Sequence, residues 1–391
     1  MEEIIKQEQT QTIDKSAKSE RHYGLDLLRI ICMVMVLFRH ISHYAFQSGI
    51  ILADTPDFFI RQGILGYANF LVDCFVLISA FFLVKQRFRL SRIFKLELIV
   101  CFWLIISFVV LYFVNPPDGF TWEYVIPFFP VTLNAIWFYT AYVGLCLLSP
   151  LLNLAIKHMN KGMHLLLCIL LVLMSCLINN ILGFTDVFSF ANGYNLHWFV
   201  VLYFVGGYIR LYVDPKKIKI WIPIVVYVIV GALIIGDYLL IRFLKENNEW
   251  CNSYLNADHP YDYNSLLTFI LSISIFLIFL KINFKTKFSQ KTISFLAPHM
   301  FAIYILDRDY IRNLQCDYVF GWLNIPNYPL LQVILAVIII FAFRVALDFI
   351  RSLLFKLFEN RKWYKTFLTK MDTFPYWVVN KLNKDKGEIT T

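Results

Sequence analysis

Residues 23–46 read YGLDLLRIICMVMVLFRHISHYAF, an apolar run long enough to cross a bilayer that nevertheless holds Arg29 and His40 inside it. Charged and titratable side chains in a membrane helix are costly, so each is a functional candidate by default. Eleven positions at about 100° each end roughly 20° past three full turns, which places Arg29 and His40 on nearly one helix face and about 16 Å apart along the axis. One face can then hold a long ligand at two depths. Asp26 precedes Arg29 by three residues and can pair with it. His43 follows His40 at a spacing open to a metal, but no carboxylate or cysteine lies beside the two in the chain. Arg39 adjoins His40 and points about 100° away, toward either Asp73 in the next span or the outer interface.

The rest of the chain has the same character. It is 59% hydrophobic and only 16% charged, which excludes a protein built around a water-facing surface. Apolar runs near 24–46, 64–84, 94–114, 134–154, 163–184, 195–213, 220–244, 264–284, 293–311 and 328–350 predict an all-α polytopic membrane protein with about ten transmembrane helices. No small-residue cleavage pattern follows the first run, so that helix is expected to stay as an anchor.

Loop charges predict the orientation. One side collects Arg21, then Lys85, Arg87, Arg89, Arg92 and Lys95, then Lys157 and Lys161, then Arg210 and Lys216, then Lys281 and Lys285, and a basic tail, whereas the other holds little beyond Arg61, Lys245, Arg308 and Arg312. Both termini are therefore expected in the cytoplasm. This bias accounts for most of the +9 net charge, and nothing interleaves bases with aromatics as a nucleic-acid surface would.

The chain divides into a polar cytoplasmic segment (1–22), a membrane domain (23–355) and a basic, aromatic cytoplasmic tail (356–391) whose composition favours the membrane interface. No further soluble catalytic domain is expected, so any chemistry should fall to the helices and their loops. Most of the cysteines lie within spans as packing residues, while Cys251 and Cys316 fall in outer loops where a disulfide is open to them.

Taken together, these residues resemble a known family. Asp26-Leu-Leu-Arg29, ten residues and then His40 is similar to the Arg-x10-His signature that opens the acyltransferase 3 family of membrane-bound bacterial carbohydrate O-acyltransferases. Asp73-Cys-Phe75 with Ser79-Ala80-Phe81 resembles that family's acidic, aromatic second helix, and Arg89-x-x-Arg92 resembles the motif opening its third. Trp137-Phe138, Leu147-Leu-Ser149-Pro150, Tyr203-Phe-Val-Gly206-Gly207-Tyr208 and Phe301-Ala-Ile-Tyr304 follow in the family's order. Three positions depart from it: Ala80 stands where glycine is usual, Lys95 where proline is frequent, and Asp307 where the ninth helix often ends in His.

The resemblance implies a stand-alone O-acyltransferase of the bacterial inner membrane. Its donor would be cytosolic acyl-CoA, most simply acetyl-CoA, and its acceptor a hydroxyl of a cell-surface glycan or lipid-linked saccharide. The residue chemistry fits on its own terms. Acyl transfer to a hydroxyl needs a base near neutrality, which His40 would supply, with Asp73 as the acid that fixes its tautomer. Arg29, Arg89 and Arg92 would bind coenzyme A phosphates through guanidinium forks. Plain topogenic anchoring is the alternative reading for Arg89 and Arg92. The alternative is a transporter of an anionic or lipid-linked substrate, against which stands the lack of an inverted repeat or paired Gly/Pro-broken helices.

Overall fold

The computed structural model describes residues 21–114, 128–182, 191–249 and 261–388, and every regular element among them is helical. That is the solution a lipid solvent imposes, because a helix satisfies its own backbone polar groups. The axis of the bundle is α1 (Tyr23–Gln47), whose Leu25, Leu28, Cys32, Met33, Leu37, Ile41 and Ala45 are fully buried. Next come α2 (Pro56–Tyr67), α3 (Leu71–Leu83), α4 (Leu90–Val114), α5 (Trp137–His158) and α6 (Lys161–Val172), the last running on into a π-helical segment, Leu173–Leu182. After them stand α7 (Leu196–Tyr212), α8 (Trp221–Asn247), α9 (Leu266–Lys281), α10 (Lys287–Leu296), α11 (Met300–Ile305), α12 (Asp309–Leu323), α13 (Pro329–Glu359) and α14 (Lys362–Glu388). Around α1 pack α3 and α9 through α13.

Local chemistry sets many of the helix ends. Thr55 accepts from Phe58 N–H, with Pro56 in the first turn of α2. Asn160 and Asn195 cap α6 and α7 through Met163 N–H and Trp198 N–H. Asn324 closes α12 in the left-handed conformation at φ 42°.

Among the described residues, five helical stretches are long and apolar enough to cross a membrane: Pro56–Leu83 taken across its break, Leu90–Val114, Trp137–His158, Trp221–Asn247 and Pro329–Glu359. Lys161–Leu177, Leu196–Tyr212 and Leu266–Lys281 are apolar but shorter. The all-helical membrane architecture is as expected, and the expected ninth span is not one continuous helix. There Pro298, which lacks a backbone donor, sits in a 3-10 turn at Ala297–His299, and the chain unwinds again between Ile305 and Asp309. The expected second span also breaks, at Ala68–Phe70. Of the loop cysteines, Cys251 lies outside the described residues and Cys316 is a buried free thiol.

Close packing explains why Ala80 is tolerated. The glycine that lets α3 and α7 approach is on the opposite helix: a Cβ on Gly206 would lie 2.7 Å from Ala80 Cβ and 3.1 Å from the Leu77 carbonyl oxygen. Gly206→Leu should therefore force the pair apart at a cost of about 1–3 kcal/mol or more, lowering the thermal midpoint of the detergent-purified protein. Gly236→Leu, at a site where a Cβ meets nothing within 4 Å, should leave the midpoint unchanged.

Candidate active site

The face of α1 that carries Arg29, Val36 and His40, with Arg39 beside them, lines a cavity of about 330 Å³. Phe75 and Ser79 of α3, Trp137, Phe138 and Tyr142 of α5, and Met300, Phe301 and Tyr304 of α11 complete most of its wall. Arg29 and His40 thus share one cavity, as their spacing predicts.

His40 is held from the second helix break. Its Nδ1–H donates to Asp307 Oδ2 at 2.5 Å, and Asp307 Oδ1 accepts from Arg344 Nη1 at 2.7 Å. Arg344 in turn donates through Nε and Nη2 to Gln315 Oε1 at 3.0 and 2.8 Å. The unwound backbone is satisfied as well, since the Asp307 carbonyl accepts from Arg312 Nη1 at 3.2 Å. The side chains of Arg344 and Asp307 are 0% and 1% exposed, against 38% for His40. A buried carboxylate needs a counter-charge, which Arg344 supplies, and the one accessible member of the relay is the imidazole. With Nδ1 committed to Asp307, Nε2 is the ring nitrogen left to act as a base.

Asp73 does not play the part expected of it. It is fully buried between α3, α7 and α9, where it accepts from Trp198 Nε1 at 2.8 Å and from Ser272 Oγ at 3.2 Å. The His40 ring is oriented by Asp307 instead. Arg39 donates to Asn69 Oδ1 at 3.1 Å and lies over the Tyr263 ring, so its amide partner comes from the first helix break.

The three expected donor-binding arginines separate. Arg29 lines the cavity and is paired with Asp26 at 3.0 Å, which also takes Arg21 Nε at 2.6 Å. Half-buried Arg92 donates to Gln86, and Gln86 lines a second cavity of about 1000 Å³ together with Arg21, His22, Lys85, Arg210 and Gln290. Arg89 is exposed and lines neither cavity. The second cavity gathers residues from four basic segments at one end of the bundle. Arg210, over the Phe81 ring at 4.6 Å, is a member that motif reading passes over.

A sequence model described as an acyltransferase domain matches residues 22–349. The chain belongs to the acyltransferase 3 family. It is therefore an acyltransferase, moving acyl groups other than aminoacyl groups, and its apolar helices make it a membrane protein. Comparison with curated proteins and with solved structures gives no match.

A second buried relay braces this acyltransferase beside the first. His299 Nδ1 donates to Asp348 Oδ2 at 2.6 Å, Arg351 Nε and Nη2 fork onto the same carboxylate at 2.6 and 3.0 Å, and Trp103 Nε1 donates to Oδ1 at 3.0 Å. These bonds tie α4 and α13 to the turn whose Ala297 lines the cavity. Neither Asp348 nor Arg344 stands out from motif spacing. Each is, however, an ionisable residue inside the expected tenth span, which is itself a signal of function or of a buried pair.

If Asp307 orients the base, Asp307→Ala should slow acyl transfer at least a hundredfold, by analogy with the large losses seen when a triad acid is removed. Asp73→Asn, whose amide oxygen can still accept from Trp198 and whose Nδ2 can donate to Ser272 Oγ, should leave the rate within about threefold. Initial rates on matched amounts of folded protein check both.

Proposed function

We propose that this acyltransferase takes an acetyl group from cytosolic acetyl-CoA and transfers it to a hydroxyl of a cell-surface glycan or lipid-linked saccharide. It would work as a multi-pass protein of the bacterial cell membrane with its basic end in the cytoplasm. The observation that carries this reading is the Arg344–Asp307–His40 relay, which opens onto the same cavity as Arg29. An acetyl donor with a charged nucleotide end and a thioester at the tip of a flexible arm matches cations at one depth and a base at another.

In this mechanism His40 Nε2 accepts the proton of the acceptor hydroxyl as its oxygen attacks the thioester carbonyl carbon. The tetrahedral intermediate then collapses with cleavage of the carbon–sulfur bond, and the imidazolium returns its proton to the departing thiolate. Asp307 stabilises the imidazolium while it exists, which is the task of the acid in a Ser-His-Asp triad. Transfer through an acyl-His40 intermediate uses the same geometry.

The cavity wall fits a sugar acceptor. Trp137 and Tyr263 lie near parallel, at 22° with centroids 6.3 Å apart, and Tyr194 is 4.8 Å from each. Aromatic faces with a polar rim offer a saccharide both a stacking surface for its C–H groups and hydroxyl partners. The volume of about 330 Å³ falls within the ordinary range of small-ligand sites.

Binding and chemistry should separate in mutants. His40→Ala is expected to abolish glycan acetylation, with a loss of at least a hundredfold, while acetyl-CoA still binds. Arg29→Lys should do the reverse, weakening donor binding because a point charge does not reproduce the guanidinium fork. His43→Ala, at an exposed position outside the cavity, is the matched control and should retain activity. Activity lost in His43→Ala and kept in His40→Ala would refute the assignment.

A further inference from the structure

The family match ends at residue 349, and α14 lies beyond it, yet α14 grips the segment that carries Arg89 and Arg92. Asp372 of α14 spans the start of α4 with both carboxylate oxygens: Oδ1 accepts from Ser91 N–H at 2.8 Å and Oδ2 from Ser91 Oγ at 2.8 Å. One turn further along α14, Tyr376 Oη donates to the Phe88 carbonyl at 3.2 Å, and the Arg87 guanidinium lies 4.0 Å from the Tyr376 ring centroid. On the other side Phe367 packs edge-on against Phe94 with centroids 5.3 Å apart. The held positions therefore flank Arg89 and Arg92 on both sides.

The electrostatics give this grip a purpose. The N-terminus of a helix carries a partial positive charge, so Arg89 and Arg92 stand there against the sign of the dipole and add to it. Left alone, the first turn of α4 would tend to fray and its guanidiniums to scatter. A carboxylate on the Ser91 N–H is the complement such a terminus requires, and here it is supplied from more than 280 residues away, at a chain separation of 281. Fixing a binding segment before its ligand arrives lowers the ordering cost of binding.

We propose that Asp372 is a positioning residue that holds the Arg89-x-x-Arg92 turn ready for the phosphates of the acyl-CoA donor. The proposal rests on the donor reading given above. Asp372 touches neither substrate nor reacting atoms, so its effect falls on donor affinity and not on the acyl-transfer step.

The test uses the full-length protein purified in detergent, with acetyl-CoA kinetics and calorimetric binding of coenzyme A. Asp372→Ala is expected to raise both the donor KM and the coenzyme A Kd about tenfold with kcat within twofold. Asp372→Asn, which can still accept from the N–H and donate to Oγ, should return both constants to within about threefold of the unmodified protein. In an Arg92→Lys background Asp372→Ala should add much less, because the two changes act on one turn. Unchanged KM and Kd in Asp372→Ala, or a fall in kcat alone, overturns the positioning role. Should Asp372→Ala fail to accumulate, Ser91→Ala decides: a rise in KM of about threefold supports the role and an unchanged KM overturns it. Failure of the unmodified protein to bind coenzyme A or acetyl-CoA overturns the donor reading and this proposal with it, whereas binding that is present and equal in Asp372→Ala overturns the positioning role alone.

Discussion

Two consecutive polar side chains, Arg39 and His40, project from the central helix into apolar surroundings, and each is met by a side chain from a break in another helix. Asn69 comes from the break between α2 and α3, and Asp307 from the break between α11 and α12. A broken helix in such surroundings releases backbone and side-chain groups that must all find partners, because an unpaired one costs several kcal/mol there. The partners follow outward in shells. Asn69 passes its amide to Thr268 at 2.6 Å, the Asp307 carbonyl takes Arg312, its carboxylate takes Arg344, and Arg344 takes Gln315. Much of the polar interior of the bundle is the consequence of holding those two neighbouring residues.

The sequence made the first half of this legible and hid the second. Helical periodicity alone puts Arg29 and His40 on one face, and the cost of intramembrane charge marks them out. The partner of His40 is 267 residues away and on a stretch with no regular structure, where neither periodicity nor spacing speaks. Asp307 registered only as a departure from a family pattern, although the exchange of an imidazole for a carboxylate is what lets it serve the imidazole of His40. Motif order points to Asp73 for that task, whereas Asp73 clamps Trp198 and Ser272. The breaks inside the expected second and ninth spans escape hydropathy for a related reason: it averages over windows, so a three-residue unwinding at Asn69 or Asp307 leaves the mean almost unchanged. Asn69 is neither proline nor glycine and gives no local warning of a break.

The two cavities divide the molecule by chemistry. The larger gathers Arg21, Lys85 and Arg210 from separate basic segments, and the smaller is walled by aromatics and served by one imidazole. Arg29 belongs to the smaller one but is tied through Asp26 to Arg21 of the larger, which links the two environments by ion pairs along the first turns of α1. The relay at His299 adds rigidity next to this site. It fixes the 3-10 turn from two helices, so Ala297 and the residues that follow it present a stable wall.

The paired grip on Arg39 and His40 has a mechanical result. Adjacent residues on a helix differ by about 100° in direction, so anchoring both removes the freedom of α1 to turn about its own axis or to slip by one position, since either motion would break Arg39 from Asn69 and His40 from Asp307 together. The helix is a locked spindle. Room for a ligand must then come from the surrounding wall, where the side-chain torsions of Trp137 and Tyr194 can change while the helices keep their backbone ladders. The rate at which those rings move, and not a rearrangement of helices, would set how fast the site fills and empties.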